Sequence, residues 1–171
     1  MSYTINNLAN GKWIEIEKPS SEDIDFLRRE FPTFKLTNLE DSQERVQRAK
    51  LDLFEDHMFM SVTVPINYIQ GKRLSALEFS FFLTKDAIVT ITQEKTDLFK
   101  EEKQEGDHVA NIRLEDTPSL LAYRFLEKLY DTSSKTVDTL GRAINEIDAN
   151  ILDVRSSSII RNISIVQRNL I

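Results

Sequence analysis

The sequence predicts an α/β or α+β protein, with a mixed β-sheet flanked by helices and followed by a long helical hairpin. Before residue 116, short runs of alternating apolar residues bounded by turn residues are interleaved with segments of helical periodicity. From residue 117 the composition is helical, and three serines at 156–158 interrupt its apolar pattern. These observations divide the chain into an α/β domain over 1–116, long helices over 117–155 and the start of a further helix over 156–171.

The N-terminal part is predicted to contain a hairpin and a capped helix. Tyr3–Asn6 and Lys12–Glu17 have strand character, and Asn10–Gly11 between them favours the positive φ angles of a tight turn. A helix should follow from Ser20, because Ser20 and Asp23 have the spacing of a capping box. The apolar face of this helix is formed by Ile24, Leu27 and Phe31.

A second, shorter helix and four more strands complete the predicted α/β domain. Thr37 and Glu40 also have capping-box spacing, which predicts a short helix over Leu39–Asp41. Alternating or β-rich segments then follow at Leu51–Leu53, His57–Asn67, Ala76–Leu83 and Ala87–Thr92. Only three residues separate the last two segments, so they are predicted to form a hairpin.

The C-terminal third carries a helix start and a heptad pattern. Thr117 followed by Pro118 is typical of an N-cap and a first helical position. The apolar residues of the heptad seam, alternately three and four apart, are Val137, Leu140, Ile144, Ile147, Ile151 and Val154. The seam could pack in an antiparallel hairpin, which a short serine-containing connection favours, or pair with another subunit. No Gly, Pro or cap ends the last helix before Ile171, which predicts a piece of a longer protein.

Composition argues against several classes of function. The net charge of −6 argues against nucleic-acid phosphates as the main partner. The chain has no cysteine and its two histidines, His57 and His108, lie far apart, so zinc coordination by these residues is not expected. Without a phosphate loop or a triad pattern, no enzymatic activity is expected. No apolar run reaches the roughly 18 residues of a membrane-spanning helix, so the chain itself is expected to be soluble.

Several motifs occur in order along the chain and share a family resemblance. They are LED at Leu39, Glu40 and Asp41, then Gln47, Arg48 and Lys50, then LFEDHMF, LTKDAIVTITQEK and LLAYRFLEKLYD. Together they resemble the cytosolic N-terminal domain of CorA-type magnesium and divalent-cation channels. In this resemblance Gln43–Arg48 is a helix-to-strand loop, not a ligand cradle. Ala49 and His57 depart from the family pattern, which has a proline and an aromatic residue at these positions.

The resemblance implies a regulatory domain that gates a membrane pore. Members of this family are homopentamers in which intracellular Mg²⁺ bridges neighbouring cytosolic domains and holds the pore closed. Mg²⁺, or another divalent cation, is therefore the expected regulatory ion. The last block is similar to a family helix with two acids, and the resemblance places Glu127 and Asp131 at those positions as expected metal ligands.

The resemblance also implies where the chain works and what it lacks. It should lie at the cytoplasmic face of the cell membrane and reach the membrane only through helices beyond Ile171. Residues 156–171 would begin the stalk helix that leads into the first membrane helix, which ends in Gly–Met–Asn in the family. By itself, this fragment is expected to be a monomer or a dimer.

Two interpretations stay open for each group of acids. Glu127 and Asp131 have Arg124 and Lys135 at helical spacing, so they could be ordinary surface acids with basic partners. A second group, with no Lys or Arg between its members, could attract cations near the ion path or form a solvated helix face: Glu146, Asp148 and Asp153. For the whole chain, the alternatives are a zinc-transporting relative and a soluble α/β interaction module without transport.

Overall fold

The computed structural model describes residues 3–43, 49–66, 75–96, 98–99 and 116–151. The strands are β1 Tyr3–Leu8, β2 Gly11–Glu17, β3 Lys50–Leu53, β4 His57–Ile66, β5 Ser75–Thr84 and β6 Ala87–Thr92. The helices are α1 Ser21–Glu30, α2 Leu36–Asp41 and α3 Pro118–Ile151. The strands form one six-stranded sheet in the order β1-β2-β6-β5-β4-β3.

The sheet is mixed, as the sequence predicts. The pairs β1–β2, β3–β4 and β5–β6 are antiparallel, whereas β2 and β6 are parallel, with Lys12 beside Ala87. Parallel neighbours need a long crossover connection, and here α1, α2 and three strands lie between the two members of the parallel pair. The predicted fold class, a mixed sheet with helices and a long C-terminal helix, is therefore confirmed.

A cluster of buried apolar residues joins the sheet to α1 and α2. Its members come from four strands, both helices and the connection between the helices: Ile14, Ile16, Ile24, Leu27, Phe34, Leu39, Phe59, Phe82, Val89 and Ile91. Ser20 caps α1 as predicted, because its hydroxyl accepts from Asp23 N and the Asp23 carboxylate accepts from Ser20 N. The cap fixes where α1 begins and so which of its residues meet the sheet.

A second group of aromatic residues packs against the beginning of α3. Two of them, Trp13 and Phe81, are next in sequence to the cluster residues Ile14 and Phe82 on their strands. The Phe125 ring of α3 lies 5.2 Å from Trp13, 6.2 Å from Phe81 and 4.3 Å from Phe99, measured between ring centroids. Phe125 itself is buried. Because successive strand residues point to opposite faces, this second core lies across the sheet from α1 and α2. α3 starts as predicted, with Thr117 Oγ1 accepting from Leu120 N.

Gly11 brings three elements close together. Its φ is +133°, and the next residue, Lys12, donates its backbone N–H to Asp86 O in the β5–β6 turn at 3.0 Å. A Cβ atom on Gly11 would lie 2.4 Å from Asp86 O and 2.9 Å from Pro118 Cγ of α3. Both the backbone angle and the space therefore require glycine at this position.

The chain divides into two compact units, residues 1–63 with 77–129 and residues 64–76 with 130–171. The first contains both cores described above. In the second, α3 continues from Tyr130, and it buries Thr136, Leu140 and Ala143 at helical spacing. Of the heptad seam, Leu140 is buried and Val137 is exposed, whereas Val154 and the serine interruption lie outside the described residues. The hairpin and the boundaries after residues 116 and 155 stay predictions.

The start of α2 was predicted wrongly. The helix begins at Leu36, and its N-cap is Lys35, which makes no capping hydrogen bond through its side chain. Thr37 therefore lies inside the helix and does not cap it. The carbonyl of Lys35 accepts from the backbone N–H groups of Asn38 and Leu39, so the first helical turn is already formed before Thr37 could cap it.

Candidate functional site

The two acids expected to bind metal both lie on α3. Glu127 is exposed and Asp131 is half-buried. Residues four apart on a helix are neighbours on its surface, and two adjacent carboxylates repel one another unless a cation joins them. The structure thus places these residues on one helix, as the sequence predicts, and their role as ligands stays a prediction.

The basic partner predicted for Glu127 is engaged elsewhere. Arg124 Nε lies 2.9 Å from Asp116 Oδ2, an ion pair by distance although the N–H does not have hydrogen-bond geometry. Asp116 is 4% exposed and stands immediately before the cap of α3. Among the described residues, no ion pair joins Arg124 to Glu127 or Lys135 to Asp131. Arg124 is thus paired with Asp116 and not with Glu127, and the choice between a metal ligand and a surface acid at Glu127 stays open.

The second group of candidate acids cannot be assembled into a site. Glu146 and Asp148 fall within the backbone span of α3, and their side chains, like Asp153, lie outside the described part of the chain. Within that part, no three or more His, Asp or Glu side chains come together in a way that could hold a metal ion.

Two motif residues, Asp41 on α2 and Lys50 on β3, belong to a compact polar cluster. Lys50 Nζ donates to Asn38 Oδ1 at 2.7 Å and to Asp41 Oδ2 at 3.1 Å, and it lies 3.2 Å from Asp52 Oδ2. Asn38 Nδ2 in turn donates to Asp52 Oδ2 at 3.1 Å. We call these four residues the Lys50 cluster. Lys50 Nζ also lies 5.4 Å from the centre of the Phe59 ring, within the range of a cation–π contact.

In the Lys50 cluster, the charged forms of Lys50 and Asp52 stabilise one another. Partial burial works against the charged form of Lys50, but hydrogen bonds to Asp41 and Asp52 and their Coulombic attraction outweigh it and raise the pKa of Lys50. Partial burial likewise opposes the charge of Asp52, and contacts with Lys50 and Asn38 nevertheless lower the pKa of its carboxyl. At neutral pH Lys50 is therefore a cation and Asp52 an anion.

The remaining motif residues have different environments. Leu39 is fully buried in the core with α1, and Glu40 is exposed. Gln47 and Arg48 lie outside the described residues. Sequence reasoning missed Asn38 and Asp52 as partners of Lys50. Two spacings could have indicated them: Asn38 and Asp41 are three apart on a helix, and Lys50 and Asp52 are two apart on a strand.

His57 occupies an aromatic sandwich that the sequence did not predict. Its ring stacks on Phe54 with 4.4 Å between centroids and is tilted against Phe34 at 4.9 Å. Nδ1 lies 2.7 Å from Asp56 Oδ1, and Nε2 is buried without a hydrogen-bond partner among the described residues. Hydrogen bonds from Thr33 and His57 lower the pKa of the Asp56 carboxyl. His108 lies outside the described residues.

Comparison with known families assigns the chain. The profile of the family described as CorA-like Mg²⁺ transporter protein matches residues 9–171. The chain belongs to this family. No curated protein matches the CorA-like chain significantly.

Solved structures share the fold of this CorA-like chain. The soluble domain of CorA from Methanocaldococcus jannaschii is 13% identical, with a TM-score of 0.67 over 94% of this chain and 63% of that one. The complete CorA magnesium transporter of the same organism is 15% identical, with a TM-score of 0.67 over 94% and 50%. The ZntB cytoplasmic domain from Vibrio parahaemolyticus RIMD 2210633 is 16% identical, with a TM-score of 0.66 over 98% and 64%.

These structural matches support the fold of the CorA-like chain and show how much of each solved chain it corresponds to. At such identities the likeness establishes the fold alone. The chain spans less than two thirds of each of these solved chains. None of the helices in the described part combines the length and the apolar character needed to cross a membrane.

Proposed function

We propose that this chain is the cytosolic regulatory domain of a divalent-cation channel, and that divalent ions bound between protomers control the pore. The observation that carries the proposal is the family match over residues 9–171. The fold agrees, because the chain resembles both an isolated soluble domain and half of the chain of a complete magnesium transporter. In this proposal the full-length protein is a homopentamer at the cytoplasmic face of the cell membrane.

Glu127 and Asp131 are the proposed regulatory ligands, with Mg²⁺ as the first candidate ion. Carboxylate oxygens are the ligands that Mg²⁺ prefers, and it usually takes one or two carboxylates and keeps several waters. The pairing of Arg124 with Asp116 supports the proposal, because Arg124 then makes its ion pair with Asp116 and not with the exposed Glu127. Further ligands would come from a neighbouring protomer.

Thermal unfolding in Mg²⁺ tests these two ligands. Millimolar Mg²⁺ should raise the melting temperature of the chain, because an ion that binds only the folded state stabilises it by mass action. The double variant Glu127→Ala with Asp131→Ala should abolish the rise. The experiment is run at high chain concentration and paired with analytical ultracentrifugation, since a shared site requires association.

A matched double variant distinguishes Mg²⁺ binding at these two acids from a general effect of the negative charge of the chain. Asp25→Ala with Asp138→Ala removes the same charge from two exposed acids on different helices, and it should leave the Mg²⁺ effect intact. If the Glu127 and Asp131 variant keeps the full rise, these residues are not the ligands. The absence of any rise in chains shown to be associated would contradict ion bridging itself.

A zinc-transporting relative is the second candidate, and one observation favours keeping it. The fold match to the ZntB cytoplasmic domain, at a TM-score of 0.66, equals the matches to CorA within 0.01. The same thermal experiment with Zn²⁺ in place of Mg²⁺ distinguishes the two candidates. A rise that appears only with Zn²⁺, and that disappears in the double variant, would favour the zinc-transporting relative.

The coding sequence beyond Ile171 tests membership of a membrane channel directly. Two apolar stretches of about 20 residues each, the first ending in Gly–Met–Asn or a close variant, are expected. A stop codon within a few residues would leave the soluble interaction module as the function to pursue.

A further inference from the structure

The Lys50 cluster has the composition of a hard-cation site and already contains a cation. Asn38 Oδ1, Asp41 Oδ2 and Asp52 Oδ2 converge on Lys50 Nζ at 2.7, 3.1 and 3.2 Å. Carboxylate and amide oxygens are also the ligands that Mg²⁺ and Mn²⁺ take in proteins. An ammonium carries three N–H donors, so three converging acceptors are enough to satisfy it.

We propose that Lys50 is a built-in cation that closes these three oxygens to divalent ions. Lys50 thereby acts as a specificity-determining residue that selects which acids can reach an ion. The proposal concerns the Lys50 cluster alone and does not depend on ion binding at Glu127 or Asp131.

Geometry makes the two cations mutually exclusive. An Mg²⁺ ion bound to these oxygens at about 2.1 Å would occupy nearly the position of the ammonium nitrogen. Two cations so close together repel strongly at a site that is only partly solvated. Lys50 is also held in place. Its backbone pairs with β4 opposite Ser61, and its Nζ lies over the Phe59 ring.

The position of the cluster explains why a lysine would be placed there. Asn38 and Asp41 lie on α2, whereas Lys50 and Asp52 lie on β3, so the contacts join the elements that flank residues 44–48. A tethered ammonium supplies this link at any concentration of free ions. A metal ion would make the same link only while it was bound.

Removal of the ammonium should therefore open a metal site. Lys50→Met keeps the unbranched stem and deletes the charge, and Mn²⁺ is the probe because free Mn²⁺ can be counted by electron paramagnetic resonance. The variant should bind about one more Mn²⁺ per chain than the unmodified protein. Its affinity for Mn²⁺ at this cluster should be about tenfold or more above that of the unmodified protein. Adding Asp52→Asn to Lys50→Met should remove the gained ion.

Lys12 provides a matched control within the same chain. It also combines a carboxylate partner, Glu30, with an aromatic ring, since Nζ lies 5.3 Å from the centre of Phe31. Lys12→Met deletes the same charge beside a single carboxylate, and it should gain no Mn²⁺. In the unmodified protein, Asp52→Asn alone should leave the number of bound Mn²⁺ ions unchanged.

Two results would overturn the proposal. One is a Lys50→Met chain, folded by circular dichroism, that gains no Mn²⁺. The other is loss of a bound Mn²⁺ when Asp52→Asn is made in the unmodified protein. If Lys50→Met does not fold, Lys50→Gln replaces it, because the amide keeps a donor to the carboxylates while removing the charge. Failure of the folded Lys50→Gln chain to gain Mn²⁺ would be equally decisive.

Discussion

Gly11 shows at the residue scale how one backbone position constrains three elements. Gly11→Ala should lower the free energy of unfolding by about 2 kcal/mol or more, because it adds both a disfavoured φ and an overpacked contact. The contact is with Asp86 O and Pro118 Cγ, so the β5–β6 turn or α3 would have to shift. Urea denaturation of the purified chain measures this change.

Gly141 is the natural comparison for Gly11. It lies inside α3, and a Cβ atom there would meet nothing within 4 Å. Gly141→Ala should therefore stabilise the chain by about 0.5–1 kcal/mol, through helix propensity. Equal effects of the two substitutions would contradict the steric argument for Gly11.

The Lys50 cluster should make stability depend on pH at both ends of the scale. The carboxyl of Asp52 has a folded-state pKa below its ordinary value of 3.8, so its stabilisation is lost as the pH falls below that value. Lys50 has a pKa above its ordinary 10.5, so its stabilisation is lost as the pH rises beyond it. Asp52→Asn should therefore cost most stability in the neutral range and progressively less in acid.

Urea denaturation from neutral to acidic pH measures the Asp52 effect. Asp25→Asn is the control, because Asp25 is exposed and lies 3.9 Å from Arg28 Nη1. An exposed pair at that distance contributes little, so this variant should follow the unmodified protein closely. A cost of Asp52→Asn that stays constant into strong acid would show that the charge of Asp52 is not what stabilises the cluster.

At the scale of elements, Phe125 makes the aromatic contacts between the beginning of α3 and the sheet among the described residues. Phe125 contacts rings from β2, β5 and the segment that follows β6. Phe125→Ala should lower the free energy of unfolding by about 3–5 kcal/mol, because it leaves a cavity among rings that cannot close around it. Phe125→Leu should cost less, about 1 kcal/mol, and it keeps the measurement accessible if the alanine variant does not fold.

Tyr123 lies two residues away on the same helix and is 60% exposed. Tyr123→Ala should change stability by less than about 0.5 kcal/mol, since an exposed side chain loses little packing when it is truncated. If the two alanine variants were equally destabilised, α3 would not be anchored through the face that carries Phe125. Urea denaturation compares the variants directly.

At the scale of the whole molecule, features with local signals were predicted from sequence and features that join distant residues were not. The β1–β2 hairpin, the capped start of α1 and the start of α3 depend on residues within a few positions of one another. Such signals survive folding unless a tertiary contact competes for the same group. The capping box predicted from Thr37 and Glu40 failed, because the first helical turn closes on the carbonyl of Lys35, before Thr37.

In the candidate site, too, local spacing was predicted from the sequence and contacts between distant residues were not. Helical periodicity places Glu127 and Asp131 on α3, but spacing alone pairs Arg124 with Glu127. The observed partner, Asp116, lies before the helix and is buried, and no periodic pattern reports such a contact. The aromatic sandwich around His57 was missed for the same reason, since Phe34 comes from the connection between α1 and α2.

The parallel pairing of β2 with β6 has a consequence for the order in which the chain can be assembled. During synthesis the β1–β2 hairpin leaves the ribosome early, but β6, its other neighbour in the described sheet, emerges after all the other described strands. Until then Ile14 and Ile16 lack Val89 and Ile91, their β6 neighbours in the same buried cluster. A nascent chain should therefore gain protection from proteases abruptly, once β6 has cleared the exit tunnel, rather than strand by strand.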